Sequence, residues 1–323
     1  MRNALAALAP AAGWLLSAPA HAQQAEPFHI RNLNPLIAIF GLPAWDTVRP
    51  GSRFDATVEI ANDYRLSMSN GDLLILDGET VRTTLGYSRS VGERWSVGAE
   101  APYYRVSGGV LDDVIDGWHS AFGLPDGGRN ARPEGELLFM LGNSNGRFFR
   151  LDSPRGGWGD AQLKVARKVG ARNRFVLQGS VKLPTGEQEM LAGSGSADWS
   201  VTLLRSQDLP ARSRPAGYYW GVGLVRAGEP EQIDFRAKTW VYTAVIGGSW
   251  QPWRRTGLKA QLDFNTPFYD SPLEEIGETA IQATAGAWWR AGRRASLELA
   301  LVEDLEVSTS PDVVVHFAAH WRW

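Results

Sequence analysis

No cysteine occurs in the 323 residues, so disulfides, thiolate metal sites and a cysteine nucleophile are excluded, and a lipoprotein anchor is not expected. Histidine is scarce at five, and charge of one sign is never blocked: 33 basic residues are scattered among 35 acidic ones. A nucleic-acid binder would concentrate Lys and Arg on one face, so that class is set aside. No cofactor motif is present. Beyond residue 22 no run approaches the roughly 18–20 apolar residues of a spanning helix. Segments with a 3.6-residue period are almost missing, which excludes α/β and all-α folds. What is abundant is tryptophan, at fourteen, and glycine, at thirty-five. Tryptophan concentrates where a membrane meets water, and glycine suits turns and curved strands.

The two ends narrow the class. Arg2 precedes an apolar stretch from Ala4 to Ala20, and Ala20-His21-Ala22 fits a small-x-small cleavage site, so residues 1–22 read as an export signal cleaved near Ala22. At the other end Val313, Val315, Phe317, Ala319, Trp321 and Trp323 alternate with Val314, His316, Ala318, His320 and Arg322. Successive strand side chains point to opposite faces, so one row meets lipid and the other an aqueous lumen. Phe317, Trp321 and Trp323 also resemble the signal by which barrel-insertion machinery recognises outer-membrane proteins.

The same alternation recurs at 160–169, 175–183, 258–265, 279–289 and 295–304, with further candidate strands at 53–64, 79–90, 94–105, 134–142, 146–152, 197–205, 217–226 and 239–250. With the last strand they number fourteen, or twelve if 146–152 and a neighbour drop out. The expectation is an all-β antiparallel transmembrane barrel of 12–14 strands over residues 53–323, with both ends periplasmic. Its short turns should face the periplasm, and its longer loops, including 65–78 and 106–133, should face outward. Lys164, Lys168, Lys182, Lys259, Asp263, Glu298, Asp304 and Arg322 should line the lumen with His316 and His320.

Two segments are irregular. Residues 23–52 are apolar but broken by Pro35 and Pro43, and read either as a lumen plug or as a tail packed on the periplasmic rim. Within 106–133, Leu111, Val114, Ile115, Trp118 and Phe122 share a helical face opposite Asp112, Asp113, Asp116 and His119. A short helix in this outer loop would cap or constrict a pore.

Arg31-Asn-Leu-Asn-Pro-Leu36, Asp77-x-Glu79-x-x-Arg82 and Leu111-Asp112-x-x-Ile115-x-x-Trp118-His119-x-x-Phe122-Gly-Leu-Pro125 together resemble a proteobacterial family, domain of unknown function 3187. The resemblance implies a membrane barrel and carries no substrate. Pro184-Thr-Gly-Glu187 is similar to a phrase found in barrels proposed to take up organic compounds.

Enzyme chemistry has little support. His119 and Ser120 are neighbours near Asp116, but adjacent residues on a helix do not face each other, which disfavours a triad. His316 and His320 would stand about 13 Å apart along a strand, too far to share an ion held at about 2 Å. The function expected is an outer-membrane channel or transporter for an unidentified small solute, gated by the N-terminal segment and the helix-bearing loop. A lipid hydrolase and a closed structural or adhesive barrel are the alternatives. The expected partners are the outer-membrane bilayer, the insertion machinery and the solute.

Overall fold

A computed structural model describes residues 25–109, 135–143, 145–146, 148–209, 214–305 and 309–323. In chain order its strands are β1 (Ser52–Ser69), β2 (Asp72–Val91), β3 (Trp95–Ser107), β4 (Leu138–Gly142), β5 (Phe148–Leu151), β6 (Arg155–Trp158), β7 (Gln162–Val169), β8 (Phe175–Lys182), β9 (Asp198–Leu209), β10 (Ala216–Arg226), β11 (Trp240–Trp250), β12 (Thr256–Asn265), β13 (Ala280–Arg290), β14 (Ala295–Asp304) and β15 (Val313–Arg322). β1, β2, β3 and β7 to β15 each pair antiparallel with their neighbours, and β1 closes the ring by pairing with β15 from Arg53↔Arg322 to Asn62↔Val313. The barrel therefore has twelve strands, the lower bound of the expected range.

The other three strands stand at the loop end. Residues 134–142 and 146–152, expected as staves, instead contribute β4 and β5, a hairpin built onto the projecting part of β2 from Leu73↔Gly142 to Asp77↔Leu138. β6 similarly extends β3. The expected outer loop 65–78 is a correction: β1 and β2 run unbroken to a two-residue turn at Asn70 and Gly71, with φ of 51° and 86°. Positive φ at both central residues is the type I′ geometry that matches strand twist, and Asn-Gly is its preferred pair. Alternation fails on the β2 arm of this hairpin because Leu74 and Leu76 turn inward onto an apolar packing layer rather than water.

The outer face carries the expected belt. Trp240 and Trp250 lie at opposite ends of β11 on the same outward face, 52% and 44% exposed. Ten residues at about 3.3 Å, tilted about 40°, separate them by about 25 Å along the membrane normal, the height of the apolar band of such barrels. Tyr103, Trp158 and Trp199 lie near the level of Trp240, and Trp95, Trp289, Trp321 and Trp323 near that of Trp250, with Leu163, Val201, Trp220, Leu262, Leu299 and Phe317 exposed between. Phe317, Trp321 and Trp323 thus all point away from the lumen.

Formal charge, scattered along the chain, is sorted by end. The short turns carry Arg94, Arg172, Arg174, Arg214, Arg254, Arg255, Arg293 and Arg294, with Glu93 the one acid among their described residues. The long loops at the other end carry Glu187, Glu189, Glu229, Glu231, Asp234, Asp270, Glu274 and Glu275 against Arg236 and Lys238. One of those loops contains a single helical turn, Glu274–Gly277. The helix expected within 106–133 lies outside the described residues.

Candidate functional site

Twelve strands spaced about 4.8 Å and tilted about 40° enclose a ring about 24 Å across its backbone, too wide for wall side chains alone to fill. Residues 25–51 occupy the space. Nearly all are buried, and their partners come from strands all round the wall. Beginning at the turn end, the segment climbs to a tight turn over Asn34–Phe40 beside the long loops, then descends to Gly51 and β1.

At the turn end the Glu26 carboxylate accepts from the Arg322 guanidinium at 2.7 and 2.9 Å and forms an ion pair with Arg49, 2.7 Å from its Nε. Burial alone would raise the Glu26 pKa, but the charges of Arg49, Arg322 and Arg53 hold it well below the usual carboxylate range. One layer up, Gln261 acts as a substitute strand neighbour: its Oε1 accepts from the Phe28 amide at 2.8 Å and its Nε2 donates to the Phe28 carbonyl at 3.2 Å. The Phe28 ring lies 4.1 Å from Lys259 Nζ, which also bonds Glu298 at 2.6 Å.

The middle is a continuous chain of alternating charge. Lys164 Nζ donates to Asp46 of the segment at 2.7 Å and to Glu100 of the wall at 2.9 Å. Asp46 also accepts from Arg53 at 2.5 Å and lies 3.2 Å from His29. Arg31 binds Glu100 and, through Nε, the Leu42 carbonyl at 2.7 Å, tying the two legs of the segment together. Burial opposes the Asp46 charge, yet Lys164, Arg53 and His29 hold its carboxyl well below the usual range. The Trp45 ring fills the space over Gly221, where a Cβ would stand 2.7 Å from Trp45 Cζ3.

At the top of the segment, Asn32 Nδ2 donates to the Thr309 carbonyl at 2.9 Å and Asn34 Nδ2 to that of Glu275 at 3.2 Å. Asn34 Oδ1 accepts from the Leu36 amide at 3.0 Å and closes the turn. Lys182 Nζ donates to the Ile39 carbonyl at 2.9 Å and to Asp160 at 2.7 Å, while Asp198 accepts from the Gly41 amide at 2.7 Å. The Pro184–Glu187 loop supports this group, since the Gly186 amide bonds Asp160 at 2.7 Å. Around these bonds Leu36, Ile37, Ile39, Phe40 and Leu42 pack against Leu74, Phe139, Phe235, Phe268 and Tyr269 of the wall and loops. Phe40 stacks on Phe268 at 4.5 Å between centroids.

Free space lies on both sides of that apolar layer. A narrow polar cavity of about 30 Å³ opens at the turn end, bordered by Arg49, Arg53, Lys164 and Arg322. A second, of about 20 Å³, shares Arg53 and Lys164 with it and reaches Glu59, Arg82 and Glu100. Beyond the apolar layer a pocket of about 170 Å³ is lined by Leu141, Phe148, Phe149, Ile233 and Phe235.

Of the residues singled out from sequence, His316 faces the lumen 3.3 Å from Glu59, and His320 lies 2.6 Å from Asp55 and 3.6 Å from Glu298. Each is thus matched to a carboxylate. Arg82 turns inward to Glu59 at 3.3 Å, but Asp77 and Glu79 have the opposite parity on β2, and Gly109 lies against Glu79; the three form no single cluster. Asp112, Asp113, Asp116, Trp118 and His119 lie outside the described residues. Among the described residues, no group of three or more His, Cys, Asp or Glu is placed to hold a metal. Sequence reasoning passed over Glu26, Asp46, Trp45, Glu100 and Asp198, whose roles depend on which wall each meets.

The fold is that of outer-membrane barrels. It is similar to the COG4313 outer membrane channel from Pseudomonas putida F1, with a TM-score of 0.55, 12% identity, and coverage of 86% of this chain and 97% of that one. The transport unit of the autotransporter AIDA-I from Escherichia coli scores 0.49 at 8% identity, covering 87% and 93%. The P. putida toluene transporter TodX scores 0.37 at 10% identity, covering 84% and 89%. No curated protein matches the sequence. The pattern of one family, described as protein of unknown function (DUF3187), matches residues 8–323, and the Asn-Leu-Asn-Pro turn and the strands that receive it both fall inside that span: the chain belongs to the DUF3187 family.

Proposed function

We propose that the protein is an outer-membrane channel for a small solute, held closed by residues 25–51, which act as an internal plug. The belt of lipid-facing side chains supports the location, and the similarity in fold to outer-membrane channels supports the class. The observation that carries the plug reading is the composition of the seam. Segment and wall meet through ion pairs and single hydrogen bonds along its length, interleaved with three apolar clusters of which the largest lies at the loop end. A permanent core would be apolar throughout. A seam of charges can be separated when water enters, because each charge is then hydrated rather than stranded. Solute would pass along the β1–β3 side, where two small polar cavities share Arg53 and Lys164.

The chain has no cysteine, so an engineered pair is unambiguous. A Cβ built on Gly41 stands 3.0 Å from Asp198 Cβ, within about an ångström of the usual disulfide spacing. Gly41→Cys with Asp198→Cys should conduct in planar bilayers when reduced and fall silent when oxidised. Equal conductance in the two states would refute a moving plug. A barrel that stays silent even with residues 25–48 deleted would refute a channel and favour a structural barrel.

A further inference from the structure

We infer that the groove between the β13–β14 turn and the end of β15 is a binding site for one anionic glycerophospholipid from the leaflet at the turn end. The groove, about 820 Å³ and open on one side, is bordered by Pro50, Arg293, Arg294, Trp321, Arg322 and Trp323. Its parts are held in place by backbone bonds. The Ala291 amide donates to the Ala295 carbonyl at 3.0 Å, and the Arg322 amide to the Arg294 carbonyl at 2.9 Å, which fastens the turn to the last strand.

Charge selects the headgroup. Arg322 is already committed to Glu26, but Arg293 and Arg294 are exposed and have no carboxylate partner among the described residues. Two guanidinium groups bordering one groove can serve a phosphodiester, whose oxygens accept paired N–H donors. No described acid lines the groove to receive the ammonium of a zwitterionic headgroup, and the other arginine-bearing turns deepen the positive potential around it. An anionic headgroup is therefore preferred over a neutral one.

The apolar half of the lipid also has a place. Trp321 and Trp323 are both about half exposed, at the level where indole rings meet glycerol and carbonyl groups. From Trp321 an exposed apolar track continues over Leu297, Leu299 and Phe317, where Leu299 and Phe317 are direct cross-strand neighbours. Headgroup site, interfacial rings and acyl track form one line down the β14–β15 seam. This site is independent of whether the channel opens.

Native mass spectrometry of the detergent-solubilised full chain tests it, with phosphatidylglycerol compared against phosphatidylcholine of the same acyl chains. One phosphatidylglycerol should be retained at least tenfold more tightly than phosphatidylcholine. R293Q/R294Q should lower that preference by about tenfold, to near parity between the two lipids. R254Q/R255Q makes the same charge change one turn away and should leave the preference nearly intact. Equal losses in the two double variants would reduce the groove to part of a general basic collar and overturn the site. Equal retention of the two lipids by the parent chain would overturn it as well.

Discussion

Replacing one carboxylate in the middle of the seam should loosen the plug by a calculable amount. In Asp46→Asn the side chain keeps its size but loses its charge, leaving Lys164 at 2.7 Å and Arg53 at 2.5 Å each short of one anion. Removing one partner of a buried ion pair costs about 3–5 kcal/mol. The lower end applies, because Lys164 retains Glu100 at 2.9 Å and Arg53 retains Asp55 at 2.7 Å. A loss of about 3 kcal/mol from the seated state corresponds to about a 150-fold rise in the ratio of released to seated plug. In the released state the cations are hydrated, so the penalty falls almost wholly on the seated form. Single-channel recording in planar bilayers reads this as an increase in open probability at unchanged open conductance. Lys164→Met in the same background should add less than it does alone, since both changes act on one network. An unchanged open probability in Asp46→Asn, together with a large pore on deleting residues 25–48, would show that the charged layer does not hold the plug.

Gly221→Val would place a branched side chain where Trp45 Cζ3 leaves only 2.7 Å to a Cβ, and should displace the ring; leakage conductance with normal heat-modifiable migration on gels is the expected result. Acidification should release the plug. Glu26 and Asp46 titrate well below the usual range when seated and near about 4 when hydrated. Between those values the released form binds more protons, so the latch is complete above about pH 5 and weakens as pH falls through the seated values. Open probability measured from pH 6 to 3 should rise only in the acidic part. Glu26→Gln should conduct more at pH 6 and respond less to acid; a rise in conductance towards alkaline pH would contradict the assignment.

Side-chain alternation was enough to place the staves, because a wall between lipid and polar lumen imposes a period of two wherever both solvents are present. Alternation failed where the inner face met neither. Leu74 and Leu76 of β2, and Phe139 and Leu141 of β4, pack against the top of the N-terminal segment, so both faces there are apolar and the period vanishes. Asn70-Gly71 closes the hairpin, and only its β2 arm lacks the period: on β1, Leu66 and Met68 still alternate with Arg65, Ser67 and Ser69.

Residues 25–51 show the limit of linear reading most clearly. Apolar residues broken by proline suit burial against any surface, and the chain alone cannot name the surface. The ring decided it, since twelve strands enclose more volume than their own side chains fill. Charge followed the same logic. A net charge of −2 and mixed signs along the chain describe a neutral protein, yet successive connections alternate between the two ends of the barrel. Arginines from five turns therefore meet at one rim and acids from the long loops at the other. Composition and period, being properties of short stretches, determined the barrel and its lipid-facing belt. Closure of the ring, which joins residues more than two hundred positions apart, decided what fills the lumen and where the charge gathers.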